Sequence, residues 1–449
     1  MQDVANIRDR VEAVLPGVLD DLVHLVSIPS ISSAAEHAGD VARAGDAIVG
    51  YLKLLGCPDV RVVQAGGAPA VIGHFPVAED APTVCLYAHF DVQPTGDPAA
   101  WTSPPFEASI RGDRLYGRGT ADDKAGIAAH LAVLRAFDGR PPVNVTVLFE
   151  GEEELGSPTL ARILAEHREE LAADLYVIAD CGNWRAGSPA FTTSLRGVVD
   201  CRVEVRTLDH GVHSGQFGGA VPDALTTLCR LLATLHDERG EVAVAGLVSA
   251  DESELVQPEE TLRAESGLLA GVQPIGTGSL VSRTWTKPAI SVIGLDATPI
   301  AQSSNTLIPA ARARVSLRVA PGDTTQNAWA RLKEHLETHI EWGAELVVQN
   351  TERAEPCRVG ASSQVMSAAS RAWREAFGVD PVLVGTGGAI GMIAEFQQAF
   401  PAAGVLCTAV ADPDCRMHGI DESLYLPDWR ASCLAEALLL ADLAGQPAR

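Results

Sequence analysis

The chain has 449 residues, of which 47% are hydrophobic and 20% charged, a composition typical of a globular protein with large cores. Its length exceeds that of one ordinary domain, so we expect two domains. The formal net charge of −24 excludes nucleic acid and anionic membranes as expected partners, because an acidic surface repels both.

The N-terminal segment has the spacing of an amphipathic helix and lacks the basic region and apolar core of a signal peptide. Apolar strand candidates then alternate with helices along the chain. The predicted helices are residues 1–26, Val41–Leu55, Lys124–Phe137, Pro158–Glu166 and Ile390–Phe400. The predicted strands are Thr83–Ala88, Val143–Phe149, Leu175–Ala179 and Val405–Val410. This alternation predicts an α/β domain whose sheet is mainly parallel, with helices on both faces.

The texture changes between Arg196 and Cys357. The segments VVDCRVEVRT and ARARVSLRVAP alternate apolar and polar residues, which is typical of strands with one face in solvent. Helices are predicted at Ala220–His236 and Thr325–Ile340, and residues 257–279 are predicted to be a long connection. We therefore expect a first domain made of residues 1–195 and 356–449, with a smaller α+β domain of residues 196–355 inserted into it.

The cysteines and the hydropathy of the chain bear on its location. The nine cysteines stand singly and form no C-x-x-C pair, which favours reduced, buried thiols in the cytoplasm over a disulfide framework or a thiolate zinc site. No apolar run reaches about 18 residues, so no membrane span is expected.

Carboxylates or histidines follow all four predicted strands of the first domain. The four segments are HFD, EGEEELGS, DCGN and ADPDCRMH, and a fifth segment, LYGRGTADDKAG, brings Asp122 and Asp123 to the start of a helix. Ligands of open α/β sheets bind at the carboxyl ends of the strands. Crowded carboxylates repel one another, and a pair of divalent cations removes that repulsion. Histidine and carboxylate ligands suit zinc.

Each segment alone has an ordinary structural interpretation. A strand-end histidine often bonds a turn aspartate, and a glutamate run often begins a solvated helix. Two aspartates before a helix are an ordinary N-cap, and His418 alone is an ordinary loop histidine. The coincidence of all five segments favours a metal site.

Together these segments resemble a family of dinuclear zinc metallopeptidases. The family includes carnosinases, bacterial dipeptidases, glutamate carboxypeptidases and the succinyl-diaminopimelate and acetylornithine deacylases, and the carnosinase-like dipeptidases are the most similar. The resemblance extends from LVSIPSISS to MHGIDESLYLP and includes HFDVQP, GVHSGQFGGAVPDA and SNTLIPAARARVSLRVAPG. It implies a dizinc catalytic domain, an inserted lid and dimerisation domain, and a homodimer. It also implies two Zn²⁺ per subunit, with Mn²⁺ or Co²⁺ as substitutes.

The resemblance further implies which residues bind the metals and catalyse the reaction. The implied ligands are His89, Asp122, Glu154, Asp180 and His418. Asp122 would bridge the two metals and precede a cis peptide bond, and Asp91 would orient His89. Glu153 would be the general base and then the general acid. Glu152 stays open, because a register slip of one residue would exchange these roles.

In the inserted domain, the resemblance implies that His213 stabilises the oxyanion in the active site of the partner subunit. A helix-cap histidine is the alternative for this position. Asn305 and Arg318 would hold the substrate carboxylate, although Arg318 has the alternative of an outward-facing strand charge. The chain has GGAIG where the family has GGSIP or GGTIP. Gly388 and Ala389 of this segment would therefore offer the substrate only backbone donors.

We therefore expect a cytoplasmic dizinc metallopeptidase that cleaves the amide bond of dipeptides or similar small peptides with a metal-activated water. An N-acyl-amino-acid deacylase or related amidohydrolase with the same metals is an alternative. A catalytically silent binding protein on the same fold is a third interpretation. The complete ligand set and Glu153 argue against it, since a decayed site is expected to lose a ligand.

Overall fold

The computed structural model describes residues 4–250, 255–388 and 391–445. The helices are α1 Val4–Val26, α2 Ala38–Leu54, α3 Lys124–Ala136, α4 Leu160–Glu166, α5 Arg168–Leu171, α6 Ser214–Phe217, α7 Ala224–Ala233, α8 Glu259–Ser266, α9 Leu280–Trp285, α10 Thr325–His339, α11 Ser363–Phe377, α12 Gly391–Ala399 and α13 Leu426–Leu443. The strands are β1 Asp59–Val63, β2 Ala70–Phe75, β3 Thr83–His89, β4 Ser109–Arg111, β5 Arg114–Tyr116, β6 Asn144–Glu150, β7 Leu175–Gly182, β8 Ala190–Leu195, β9 Gly197–Arg206, β10 Val212–His213, β11 Ala289–Asp296, β12 Thr306–Leu307, β13 Ala310–Val319, β14 Glu345–Ala354, β15 Cys357–Arg358, β16 Val382–Thr386, β17 Gly404–Ala411 and β18 Ser423–Tyr425.

The chain forms two compact units. The first unit consists of Met1–Thr193, Val359–Val384 and Gly391–Arg449. The second consists of Ser194–Arg358 and Gly385–Ile390. Among the described residues, no helix is long and apolar enough to cross a membrane.

The main sheet of the first unit has the strand order β1-β2-β6-β3-β7-β17-β8. The four central strands β6, β3, β7 and β17 pair in parallel. The outer strands β1, β2 and β8 pair antiparallel with their neighbours. The predicted α/β class with a mainly parallel sheet is therefore confirmed, and the sequence analysis had missed the antiparallel outer strands. The parallel strands end at one edge of the sheet, as the predicted site requires.

Burial of α3 fixes the chain beside that edge. Every residue of α3 except Arg135 is buried. The helix lies in a core with α1 and α13, and α1 contributes the apolar stripe that its periodicity predicted. The start of α3 follows directly after Asp122 and Asp123, so the packing of this helix also positions both carboxylates.

The second unit contains an antiparallel sheet with the order β11-β13-β9-β14. Apolar residues of β9 and β13 pack against α7 and α10 in one core. The helix α7 begins later than predicted, because the Asp223 carboxylate accepts a hydrogen bond from Thr226 N and caps it. The prediction of a plain connection at residues 257–279 was wrong, since α8 lies within it. Two glutamates in the first turn favour this helix, and Gly267 at φ 67° ends it.

Candidate metal centre

His89 is the last residue of β3 and is fully buried. Its Nε2 atom lies 3.0 Å from Asp122 Oδ1 and 3.7 Å from Asp180 Oδ1. Its Nδ1 atom lies 3.1 Å from the backbone oxygen of Asp91 and 3.4 Å from Asp91 Oδ1. One ring nitrogen therefore faces two carboxylates, and the opposite nitrogen faces Asp91.

Asp91 connects His89 to the glutamate turn that follows β6. Its two carboxylate oxygens accept hydrogen bonds from the backbone nitrogens of Glu153 and Glu154, both at 3.1 Å. Asp91 is also fully buried. The turn that carries the glutamates is thus held by the same side chain that faces the histidine.

Asp122 lies between two histidines that come from different segments. Its Oδ1 atom faces His89, and its Oδ2 atom lies 2.9 Å from Nε2 of His418. The same nitrogen of His418 is 3.2 Å from Glu154 Oε2. His418 has a φ of 60°, in the left-handed region, and its side chain is 57% exposed. A single carboxylate therefore connects two sets of donor atoms.

The candidate ligand atoms form two groups, each with its atoms within 4.8 Å of one another. The groups are His89, Asp123 and Asp180, and Asp122, Glu154 and His418. Asp123 was not among the ligands predicted from the sequence. Asp123 Oδ1 accepts a hydrogen bond from Gly126 N and so caps α3, while Oδ2 accepts one from His89 N. The peptide bond between Asp122 and Asp123 is cis.

Three consecutive glutamates after β6 have three different environments. Glu152 is buried, and its oxygens accept hydrogen bonds from Ala68 N at 2.7 Å and Thr159 N at 2.9 Å. Glu153 Oε2 lies 4.0 Å from His89 Nε2, and within the described ranges no hydrogen bond holds its carboxylate. Glu154 contacts His418 and accepts hydrogen bonds from Gln93. The carboxylate of Glu152 is thus held by hydrogen bonds away from the cluster, whereas those of Glu153 and Glu154 lie close to its histidines.

The pKa values of Glu153, Asp180 and His418 reflect the crowding of charged groups in the cluster. Burial, reinforced by the charge of Asp180, raises the pKa of Glu153 well above its usual value. Burial also raises the pKa of Asp180 to about 6. Hydrogen bonds to Asp122 and Glu154 raise the pKa of His418 to about 10. Carboxylates crowded in this way favour protons or other cations.

The donor set fits two divalent cations. Each group combines a histidine with carboxylates, which suits zinc and related ions. In the described part of the chain, no lysine or arginine forms an ion pair with Asp122, Asp123, Glu153, Glu154 or Asp180. The excess of negative charge therefore has no protein counter-ion beyond the histidines, and metal ions would supply it.

Comparison with known proteins places this geometry in a family. The sequence model of the peptidase family M20/M25/M40 matches residues 85–441. The chain belongs to this family. It is 34% identical over 430 residues to a cysteinylglycine-S-conjugate dipeptidase of Corynebacterium striatum, an alignment that covers 94% of each chain. These matches confirm the resemblance recognised in the sequence and make the protein a metallopeptidase.

Solved structures show the same fold for the whole peptidase chain. The dipeptidase Dug1p of Saccharomyces cerevisiae superposes with a TM-score of 0.82 at 22% identity and covers 99% of both chains. Human carnosine dipeptidase 1 has a TM-score of 0.81 at 23% identity, with 98% of this chain and 99% of that chain covered. The family fold therefore extends over both units.

In the second unit of the peptidase, the structure brings His213 and Asn305 together. Strands β10 and β12 pair His213 with Thr306, and Ser214 N donates to the Asn305 backbone oxygen at 2.9 Å. His213 Nδ1 accepts a hydrogen bond from Gly215 N at 3.1 Å, as in the helix-cap alternative. His213 and Asn305 are both exposed. The cap uses Nδ1 of His213, and Nε2 takes no part in it.

Arg318 is half-buried on β13, opposite Val198 of β9. Further along the same strand, Arg312 and Arg314 pair with Glu204 and Asp200. Arg318 has no hydrogen bond or ion pair among the residues that the structure describes. Its charge is therefore not compensated by a nearby carboxylate.

Among the described residues, Arg196 is a second arginine without an ion pair, and its role was not predicted from the sequence. Its side chain is buried and, within the described ranges, donates hydrogen bonds only to the backbone oxygens of Gly387, Arg283 and Lys287, each at 3.3 Å. Burial and the nearby charge of Arg318 lower the pKa of Arg196 to about 10. The only sequence signal was a lone arginine at the boundary of the inserted domain. Its side chain holds the GGAIG segment through the carbonyl group of Gly387.

Gly388 and Ala389 were both predicted to contact substrate. Gly388 N donates to Thr386 Oγ1 at 3.3 Å, so this backbone donor already has an acceptor on its own loop. Ala389 lies outside the described residues. Within the GGAIG segment, the structure therefore describes Gly387, Gly388 and Gly391.

Proposed function

We propose that this metallopeptidase hydrolyses dipeptides with two metal ions, zinc in the cell, bound at the edge of its main sheet. The observation that carries the proposal is Asp122, whose two oxygens face the histidines of two adjoining ligand groups. The relative from Corynebacterium striatum, which acts on cysteinylglycine S-conjugates by its name, supports a dipeptide substrate. Cys-Gly and its S-conjugates are therefore the first substrates to test.

His89 and Asp180 would hold one ion, Glu154 and His418 the other, and Asp122 would bridge them. The contacts of Asp123 support this choice of bridge, because its oxygens already accept hydrogen bonds from Gly126 N and His89 N. Asp91 would orient His89 through Nδ1, since carboxylates behind metal-bound histidines fix the ring and strengthen its other nitrogen as a ligand.

Two bound zinc ions would supply a water of lowered pKa and polarise the carbonyl group of the scissile amide. Glu153 would take the proton of that water and pass it to the leaving amine. In the metal-free protein, burial and neighbouring carboxylates raise the pKa of Glu153, so this side chain is suited to accept a proton. The absence of a hydrogen bond on its carboxylate, within the described ranges, leaves both oxygens available for the proton.

The second unit would bind the rest of the substrate. Arg318, Asn305 and the backbone nitrogens of Gly388 and Ala389 would hold its terminal carboxylate, which would replace Thr386 Oγ1 as the acceptor of Gly388 N. His213 would stabilise the oxyanion. The uncompensated charge of Arg318 supports the first role, since an unpaired guanidinium is suited to a bidentate contact with a carboxylate.

The peptidase would act as a homodimer, with His213 reaching the active site of the partner subunit. Support comes from the edge strand β11, where Val292, Ile293 and Leu295 are 46%, 54% and 53% exposed. An apolar edge strand pairs readily with a second chain. Pairing of two β11 strands would cover these side chains.

The cysteines support a cytoplasmic location. All nine lie in the described part of the chain, no disulfide joins any two of them there, and only Cys229 is exposed. Thiols persist in this state where the compartment is reducing.

The test is metal analysis of the purified protein followed by hydrolysis of a dipeptide panel, with and without a chelator. We expect about two metal ions per chain, cleavage of Cys-Gly and related dipeptides, and loss of activity when the metals are removed. Rapid hydrolysis of N-acyl amino acids with intact dipeptides would instead identify a deacylase. An inactive protein that still binds metal and dipeptide would identify a binding protein.

A further inference from the structure

Gln93 contacts Glu154 through both its side chain and its backbone. The side-chain Nε2 donates to Glu154 Oε2 at 2.8 Å and to the Glu154 backbone oxygen at 3.4 Å. The backbone nitrogen of Gln93 donates to Glu154 Oε1 at 3.2 Å. The acceptors around Nε2 are all oxygens, so this contact pattern fixes which way the amide faces. Both oxygens of one metal-ligand candidate are thus bound to a single residue.

This contact separates Glu154 from Glu153, its neighbour on the same turn. Asp91 holds the backbone nitrogens of both residues equally, at 3.1 Å. Only the side chain of Glu154 receives further hydrogen bonds from the protein within the described ranges. Among the described side chains, only Gln93 donates an amide hydrogen bond to the carboxylate of Glu154, and it donates none to that of Glu153.

We propose that Gln93 is a positioning residue that holds Glu154 in the orientation required to bind the second metal ion. This inference rests on the proposed dinuclear centre. The second ligand group is the more open one, since the side chain of His418 is 57% exposed while that of His89 is fully buried. A ligand group with an exposed histidine depends more strongly on the orientation of its buried carboxylate, and Glu154 is only 6% exposed.

A neutral amide suits this role. An amide donates hydrogen bonds without adding charge, so it orients the carboxylate and leaves its negative charge available to a cation. A lysine at this position would neutralise Glu154 and compete with the metal. The backbone nitrogen of Gln93 alone would leave Oε2 free to rotate away from His418.

The test is Gln93→Met, which keeps the length of the side chain and removes its donors. Metal binding is measured by calorimetry with Zn²⁺ alone in the presence of a competing chelator. We expect the dissociation constant of one of the two ions to rise about 10- to 100-fold, and that of the other to change less than about three-fold. Lost kcat should return when free Zn²⁺ is raised, while KM for Cys-Gly stays unchanged.

Double variants show through which ligand Gln93 acts. Gln93→Met should add little to the loss of affinity in Glu154→Gln, because both changes disturb one ligand. It should add in full to the loss in Asp180→Asn, which disturbs the other group. Thr95→Val is the matched control on the same loop, since among the described residues the Thr95 hydroxyl donates a hydrogen bond only to the backbone oxygen of Gly96. The control should bind both ions as the wild type does.

Three results would overturn the inference. Unchanged affinity for both ions in Gln93→Met would show that Glu154 needs no orientation. An equal loss at both sites would show a general structural role. A wild-type protein that binds a single ion would remove the second site and this role with it. Failure to hydrolyse dipeptides would contradict the proposed function alone, because the zinc titration needs no substrate.

Discussion

Glu152, Glu153 and Glu154 are chemically identical, yet the fold gives each a different task. Glu152 stabilises the fold through hydrogen bonds to Thr159 and Ala68. Close packing enforces this position, because a Cβ atom on Gly67 would lie 2.2 Å from Glu152 Oε2. These contacts favour Glu153 as the base and oppose a register shifted by one residue.

Glu153→Gln should lower kcat by about 10²- to 10⁴-fold, because the amide cannot accept the proton of the attacking water. Its metal content should stay at the wild-type value, since the side chain is not a proposed ligand. Kinetics and metal analysis of the same preparation measure both quantities. The comparison variant is Glu152→Gln, which should lose roughly 1–3 kcal/mol of unfolding free energy. A loss of metal in Glu153→Gln with activity restored by added zinc would reverse the assignment.

The strand-end residues predicted a metal site and the family resemblance implied its candidate ligands, but neither gave the contacts that position them. His89, Asp122 and His418 were all named from the motifs, and the structure brings them together. Gln93 and Arg196 were not predicted as site residues, because their roles depend on three-dimensional neighbours that no local pattern encodes. The register of the glutamates stayed open for the same reason.

At the scale of elements, Glu422 connects the two loops that carry Asp122 and His418. Strands β5 and β18 pair antiparallel, so the residue after β5 lies opposite the residue before β18, and Gly117 N donates to the Glu422 backbone oxygen at 3.0 Å. The buried Glu422 carboxylate accepts from the backbone nitrogens of Gly119, Ala121 and Asp122. It also pairs with the buried Arg118 at 2.6 Å.

Glu422→Gln should destabilise the apoprotein by roughly 3–5 kcal/mol, because Arg118 would keep a buried charge without a partner. The amide nitrogen of the glutamine would also face backbone N–H donors that now donate to the carboxylate oxygens. Urea unfolding of metal-free protein measures this loss. Asp421→Asn is the control one residue away, since Asp421 accepts hydrogen bonds from Thr102 at the surface. Equal stability of the two variants would argue against Glu422 as the connection between the loops.

The elements that apolar patterns specify were the ones predicted well. Strand β3 was predicted as Thr83–Ala88 and ends one residue later. The prediction was close because a buried strand has a continuous apolar run in its sequence. Among the antiparallel outer strands that were missed, β1 has five residues, of which only Val63 is buried. Helix α8 was not predicted, because it has no buried residues and therefore no apolar stripe in its sequence.

At the scale of the whole molecule, the proposed dimer predicts complementation between inactive subunits. Mixtures of His213→Ala and Glu153→Gln protein should regain part of the wild-type activity, because a hybrid dimer contains one site with an intact base and an intact histidine. Activity after mixing and subunit exchange is the measurement. Replacing Ile293 on β11 by Lys should weaken dimer formation, which ultracentrifugation detects. Exchange without recovered activity would rule out a histidine supplied by the partner.

Metal binding should also link the stability of the molecule to pH. The pKa of His418 is raised to about 10 in the apoprotein by its hydrogen bonds to Asp122 and Glu154. The folded pKa thus exceeds the unfolded value of about 6.5, so this stabilisation is complete below about pH 6.5 and disappears as the pH rises through 10. A metal ligand must be a neutral imidazole, and metal binding therefore releases this proton.

The gain in unfolding free energy on adding Mn²⁺ should consequently grow between pH 6.5 and pH 8.5. The release of one proton limits the slope of this gain to about 1.4 kcal/mol per pH unit. Solvent screening at the exposed His418 ring keeps the slope below that limit. Urea unfolding with and without a fixed free concentration of Mn²⁺ measures the gain. In His418→Asn the gain should be smaller and should depend less on pH. A gain that is constant over this range in the wild type would show that His418 is already neutral before the metal binds.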